Sequence, residues 1–205
     1  MNDDWNGHLS ALDACLRRMS VRDSQTRELG PDAGMAAFVD LALSVRDQGG
    51  CIYFVGNGAS ASMACHFAVD ILKNARLRTQ VFTDPAMVTA MANDLGYDGV
   101  FAEPLGWLMK ERDLLVAISS SGNSPNILRA AATARAVGGR LATLSAMDPD
   151  NALRPLGNLN IHIPAPTYGQ AESGHTVILH RWTDLLVAAR CAADVDHGRL
   201  AVRRT

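Results

Sequence analysis

The run Ile118-Ser119-Ser120-Ser121-Gly122-Asn123-Ser124-Pro125 sets four serine hydroxyls and a glycine between an apolar segment and a helical one. Leu114 to Ile118 (LLVAI) reads as a buried strand, and Pro125 suits the first turn of a helix over Asn126 to Val137. The loop then lies at a helix N-terminus, where free backbone N–H groups and the helix dipole favour an anion and hydroxyls add donors. Taken alone, the same residues would serve as an ordinary N-capping turn. A second copy of the arrangement favours the anion. Cys51 to Val55 (CIYFV) is another buried strand, followed by Gly56-Asn57-Gly58-Ala59-Ser60 and the helical pattern Ala61 to Asn74. Neither loop ends in the Lys-Ser/Thr of a P-loop, and Gly56-Asn57-Gly58 lacks the third glycine of the dinucleotide fingerprint. With no lysine to face a β- or γ-phosphate, the simplest ligand is a single phosphate monoester on a small polar molecule.

The elements that must position these loops follow from periodicity. Apolar residues at Trp5, Leu9, Leu12, Leu16 and Met19 predict a first helix, and Pro31 to Gln48 a second, both ahead of any strand. Helices so placed serve oligomerisation or simply pack on the sheet. After Cys51 to Val55 come strands Thr79 to Phe82, Leu114 to Ile118, Arg140 to Leu144 and Leu159 to Ile163. Helices are expected at Ala59 to Asn74, Pro85 to Asn93, Phe101 to Lys110, Asn126 to Val137 and about Ala171 to Ala193. Alternating strands and helices imply an α/β doubly wound parallel sheet flanked by helices, which binds ligands at the carboxyl ends of its strands. Both serine loops fall there. Residues 1–50 form the N-terminal helical segment that packs in the oligomer, 51–195 the main domain and 196–205 a tail; Asp23 to Gly30 reads as loose.

Bulk numbers exclude other classes. At 205 residues and 48% hydrophobic, the chain can bury a full core as one α/β domain. A net charge of −2 with scattered arginines argues against a nucleic-acid partner. The four cysteines show no short paired spacing, which suits inert thiols in a reducing compartment. The start MNDDWNGHLS has no signal-peptide core and no run approaches a membrane span, so a cytoplasmic protein without membrane contact is expected.

Four segments in order, GNGASASMACHFAVD (Gly56 to Asp70), MANDLGYD (Met91 to Asp98), ISSSGNSPNILRA (Ile118 to Ala130) and ESGHTVILHRWTDLL (Glu172 to Leu186), resemble the sugar isomerase (SIS) domain family, in particular its phosphoheptose isomerases. The resemblance implies a homotetramer with active sites at subunit interfaces and a small-molecule sugar phosphate as substrate. It also implies aldose–ketose isomerisation of sedoheptulose 7-phosphate through an enediol, in the making of nucleotide-activated heptoses. Asn57 and Ser60 fall where the family's first loop meets substrate; Ser119, Ser120, Ser121 and Ser124 match its phosphate loop, and Asp94 its Asn-Asp pair. His66 and Asp70, four apart on one helical face, match a metal-binding His and Glu. His180 matches the second catalytic histidine and Glu172 a glutamine.

Three departures stand out: Asp70 for Glu, Glu172 for Gln, and Asn74 for Arg. The first shortens a carboxylate by about 1.5 Å, to which near-attack geometry is sensitive. Together His66, Asp70, Glu172 and His180 would form a two-imidazole, two-carboxylate set suited to zinc, one divalent ion per active site. The extra negative charge is then matched by the cation. Asp70 and His180 are the expected proton-moving pair. The same departures keep open a non-catalytic SIS scaffold that binds the replication initiator, or an isomerase for another sugar phosphate.

Overall fold

The computed structural model describes residues 4–196, so the expected C-terminal tail lies outside the described residues. In chain order the elements are α1 (Trp5–Arg17), β1 (Ser20–Asp23), α2 (Pro31–Asp47), β2 (Ile52–Gly56), α3 (Ala59–Asp70) and β3 (Thr79–Val81). Then follow α4 (Pro85–Leu95), α5 (Ala102–Leu108), β4 (Leu114–Ser119), α6 (Pro125–Ala136), β5 (Arg140–Ala146), β6 (Leu159–Ile163) and α7 (Tyr168–Asp196). One sheet runs in the order β1-β6-β5-β4-β2-β3, parallel throughout except where β1 lies antiparallel on β6. β2, β4 and β6 are buried at every position, as strands covered on both faces must be; this is why β2 and β4 read as near-continuous apolar runs, while β6 alternates apolar residues with buried Asn160 and His162.

Each face of the sheet carries its own core. On one, α2, α3 and α7 bring Phe38, Phe67, Leu179 and Trp182 against Phe54, Val116 and Leu144. The Trp182 ring stacks on Phe38 with centroids 3.9 Å apart and donates its indole N–H to the Phe38 carbonyl at 3.0 Å. On the other, α5 and α6 bring Leu105, Ile127, Ala130 and Ala134 against Tyr53, Leu115 and Leu141. Residues ahead of β2 are therefore built into the main body: β1 extends the sheet and α2 supplies the partner of Trp182. Between the starts of β2 and β4, buried Asp113 accepts the Cys51 N–H at 2.8 Å and the Lys110 N–H at 2.7 Å. Burial, and after it the Asp113 charge, push the Cys51 thiol up to about 11. It stays protonated and inert.

Two expectations need correction. The first is that Ser20–Asp23 is a strand, and the segment after it a tight turn rather than a loose loop. Glu28 accepts the Val21 N–H and the Ser20 hydroxyl, each at 2.8 Å, while Asp23 accepts the N–H groups of Gln25 and Arg27 at 2.8 and 3.0 Å. Four residues with only Val21 fully buried carry too little apolar pattern to announce a strand; side-chain hydrogen bonds fix it instead. The second is that the helix expected from Ala59 to Asn74 is α-helical only to Asp70. Ile71–Ala75 continue as a π-helical turn that ends on Arg76 in the left-handed region, φ +57°.

Candidate active site

Both anion loops stand at the carboxyl edge of the sheet, one between β2 and α3 and one between β4 and α6. Aspartates cap other helices: Asp4 accepts from Gly7 at 2.7 Å at α1, and Asp84 from Met87 at 3.1 Å at α4. No side chain caps α3 or α6. The first-turn N–H groups of these two helices carry no side-chain oxygen, as is also true of α2 and α5.

The second loop is braced from within and from behind. Ser119 Oγ accepts the Gly122 N–H at 3.2 Å and donates to Ser124 Oγ at 3.4 Å, and Ser121 Oγ accepts the Asn123 N–H at 3.3 Å. Gly122 has φ +65°, and a Cβ there would fall on the Asn151 side-chain amide, so no other residue fits without displacing that side chain. The segment after β5 closes on it: Leu153 donates its N–H to the Gly122 carbonyl at 2.9 Å, and Ala152 its N–H to Asn123 Oδ1 at 3.0 Å. Ser119 and Ser120 are buried in this framework, while Ser121 and Ser124 are half-buried and open outward.

The first loop is tied to the second. Asn57 and buried Asn126 exchange amide hydrogen bonds at 2.9 and 2.8 Å, and the Tyr97 hydroxyl donates to Asn57 Oδ1 at 3.3 Å. Ser60 is buried under the loop. Gly56 must be glycine because a Cβ would meet the Ser60 backbone at 2.6 Å. Asp94 is exposed near the end of α4 and accepts from Asn93 at 2.7 Å. Sequence reasoning missed Tyr97, Asn126 and Asn151. Asn126 beside Pro125 looks only like a helix start, and Asn151 sits in a stretch with no periodic pattern.

The titratable group lies on α3 and α7. His66 Nε2 is 3.3 Å from Asp70 Oδ2 one turn on, and the His180 ring stands 5.5 Å from that of His66 at 71°. Phe67, held in the core, sets its ring edge-on to His180 with centroids 4.8 Å apart. Ligand atoms of His66, Asp70 and His180 all lie within 4.8 Å of one another. Donors around a tetrahedral zinc sit about 3.4 Å apart, so two imidazoles and a carboxylate in this arrangement fit such an ion after small rotations. Glu172 is not in that group. It is half-buried, eight residues and about 12 Å of helix axis ahead of His180. Asn74 is half-buried in the π turn.

A second histidine on α7, missed in the sequence, faces inward. His175 is fully buried, with Nε2 3.1 Å from the Ser145 carbonyl, and burial pushes its pKa down to about 4. His180, five residues later, is exposed. Two cavities of about 290 and 200 Å³ open on the β1–β6 side of the sheet, around Leu41 and Arg140 and around Arg22 and Arg154, and neither contains a candidate site residue. His66 and His180 are exposed and Asp70 is half-buried.

The doubly wound sheet thus carries two serine-bearing loops at uncapped helix starts and a His-Asp-His group. Residues 23–146, more than half of the chain, match the SIS domain family. A phosphoheptose isomerase of Helicobacter pylori is 32% identical over 154 residues, 72% of this chain and 80% of that one. One from Geobacter sulfurreducens is 32% identical over 172 residues, 81% of this chain and 89% of that one. The solved phosphoheptose isomerase of Neisseria gonorrhoeae superposes with a TM-score of 0.75 at 25% identity, covering 88% of this chain and 96% of that one. The chain belongs to the SIS domain family, within its phosphoheptose isomerase branch.

Proposed function

We propose that this chain is a phosphoheptose isomerase, an aldose–ketose isomerase that converts sedoheptulose 7-phosphate to D-glycero-D-manno-heptose 7-phosphate. The observation that carries the reading is the pairing of helix N-termini left without side-chain caps with a His66–Asp70–His180 group that handles protons. Ser121 and Ser124, with Ser119 and Ser120 shaping the loop behind them, bind the phosphate. Asn57, Ser60, Asp94 and Glu172 face the sugar.

A base removes a proton from C1 of the ketose while the C2 carbonyl oxygen gains one, giving the enediol. C2 then takes a proton, O1 gives one up, and the aldehyde forms at C1. Asp70 and His180 are the proton-moving pair in the metal-free site; with an ion held, His180 becomes a ligand and Asp70 is left to move the proton. Zinc, held by His66, Asp70 and His180 with a fourth position left to substrate, would supply Lewis-acid stabilisation of the charge that develops on the oxygens. An imidazole nitrogen that holds a metal has no lone pair left for a proton. Asp70 has two oxygens, one of which can ligate while the other accepts.

Assembly as a homotetramer with active sites between subunits belongs to the same reading. What supports it is exposed apolar surface around the site: Val69 (60%), Leu72 (52%) and Val177 (48%), with Trp5 (71%) on α1. A cytoplasmic location is supported by four free cysteines, and no helix among the described residues is long and apolar enough to cross a membrane. The test is a panel of ketose phosphates of five to seven carbons, with and without zinc, read by NMR for aldose product. Turnover of the seven-carbon substrate above the others is expected; no aldose from any member would sink the proposal.

A further inference from the structure

The polar groups around Asn57 can be counted. A side-chain amide has two acceptor lone pairs and two N–H donors. Asn57 Oδ1 accepts from Asn126 Nδ2 at 2.8 Å and from the Tyr97 hydroxyl at 3.3 Å, and Asn57 Nδ2 donates once, to Asn126 Oδ1 at 2.9 Å. Both lone pairs and one donor are used. One N–H remains, on a half-buried side chain at the mouth of the first loop. We infer that Asn126 and Tyr97 are positioning residues that lock the Asn57 amide so that it offers the ligand a single N–H and no acceptor. It therefore contacts an oxygen in its acceptor role, such as a carbonyl or a developing alkoxide, and cannot receive a proton from a sugar hydroxyl.

Each partner is fixed from its own element. Asn126 is 2% exposed in the first turn of α6, directly behind Pro125, so its amide is fixed by helix geometry and burial. Tyr97 sits in the short 3₁₀ turn after α4 and reaches across the loop from the solvent side. The amide pair joins the two anion loops through side chains alone. Turning both amides over together would keep their mutual bonds but would commit both Asn57 N–H groups, one to Asn126 and one to the Tyr97 oxygen, leaving a lone pair toward the ligand. The two senses predict opposite chemistry, a donor or an acceptor, and the spectrum below separates them.

The inference rests on the isomerase reading only for the identity of the ligand, so its test has one arm that needs no turnover. In protein labelled with ¹⁵N at asparagine, the Asn57 side-chain amide should show one exchange-protected proton and one free proton, and the free one alone should shift when sedoheptulose 7-phosphate is added. Asn126→Asp keeps the volume and suits a helix N-terminus but cannot donate to Asn57 Oδ1. It should move the Asn57 signals in the free protein and lower kcat/KM about 10–100-fold, with Tm lowered by the buried carboxylate but the native circular dichroism retained. Tyr97→Phe, at an exposed site, should lower kcat/KM about 3–10-fold with Tm unchanged. Asn57 signals unmoved in Asn126→Asp, two protected protons in wild type, or both variants within twofold of wild-type kcat/KM would each overturn the positioning role. A wild type with the expected spectrum but no activity on any ketose phosphate would instead overturn the isomerase reading and leave the donor count standing.

Discussion

The serine loop and the histidine face lie on one molecule and are built in opposite ways. Ser119–Ser124 is enclosed: two of its serines are buried, its glycine abuts Asn151, and the chain after β5 bonds to it at two further points. His66, Asp70 and His180 stand on the outer sides of α3 and α7, with the His66 side chain 54% exposed and apolar neighbours facing solvent. One chain suffices to shape an anion loop, because helix termini and hydroxyls are local. Tuning proton chemistry requires excluding water, and both His66 and His180 are exposed in the single chain. Under the proposed assembly, the histidine face is the half of the site that would depend on a partner subunit.

The largest effect should come from breaking that dependence. Trp5→Asp together with Val69→Asp places charges on the exposed apolar surface without touching a ligand or a loop residue. Light scattering should show the proposed tetramer in the wild type falling to smaller species in the variant, with activity dropping below detection while circular dichroism stays native. Deleting the first 28 residues is a poorer tool, since it would remove β1 from the sheet. A wild type that is monomeric and fully active would remove the contrast altogether.

His180→Ala comes next. Loss of a positioned proton-transfer group lowers turnover about 10²–10⁴-fold, and because the side chain is exposed Tm should change little. Elemental analysis of the wild type should find about one zinc per chain, falling in the same variant. Native turnover with no metal in either protein would break the assignment.

The inward histidine of the same helix supplies the control. His175 titrates near 6.5 when unfolded and near 4 when folded, so between those values the unfolded chain binds a proton the native state refuses. Stability is complete above pH 6.5 and falls as pH drops, by about 2 kcal/mol at pH 5 and about 3 kcal/mol below pH 4. Buried His162, whose pKa burial also lowers, acts in the same direction. Urea unfolding at fixed protein concentration should show the loss at pH 5 relative to pH 8, and His175→Gln should remove most of it. An unchanged pH dependence in that variant would place the titration elsewhere.

What the sequence could show divides along the same line. The apolar runs of β2 and β4, the alternation of β6 and the stripes of α1 and α2 are signals that survive without coordinates, as are serines beside a helix start. β1 was illegible because hydrogen bonds to Glu28, not apolar pattern, hold Ser20–Asp23 in place. The π turn after Asp70 leaves no mark in a helical sequence. Asn126, Tyr97 and Asn151 could not be found because their roles are long-range contacts: Asn57 and Asn126 are 69 residues apart in the chain. The resemblance placed Glu172 with the histidines, yet the group within ligand distance is His66, Asp70 and His180.

The smallest effect should come from the loop itself, because its framework is redundant. Ser121 and Ser124 are its half-buried hydroxyls, and a hydrogen bond to a charged group contributes about 1.5–3 kcal/mol at most, less where a neighbouring donor or water takes over. Ser121→Ala with Ser124→Ala should therefore weaken binding of the phosphosugar about 10–100-fold by calorimetry, with kcat reduced much less. Ser119 Oγ would lose the acceptor it now has in Ser124 but would keep the Gly122 N–H, so the loop should hold its shape and Tm should move little. Gly122→Ala, which forces a Cβ onto Asn151, should instead lower Tm as well as affinity. Equal affinities for wild type and the double-alanine variant would show that these serines do not hold the phosphate, and would leave the loop a strand-to-helix turn braced by its own hydroxyls.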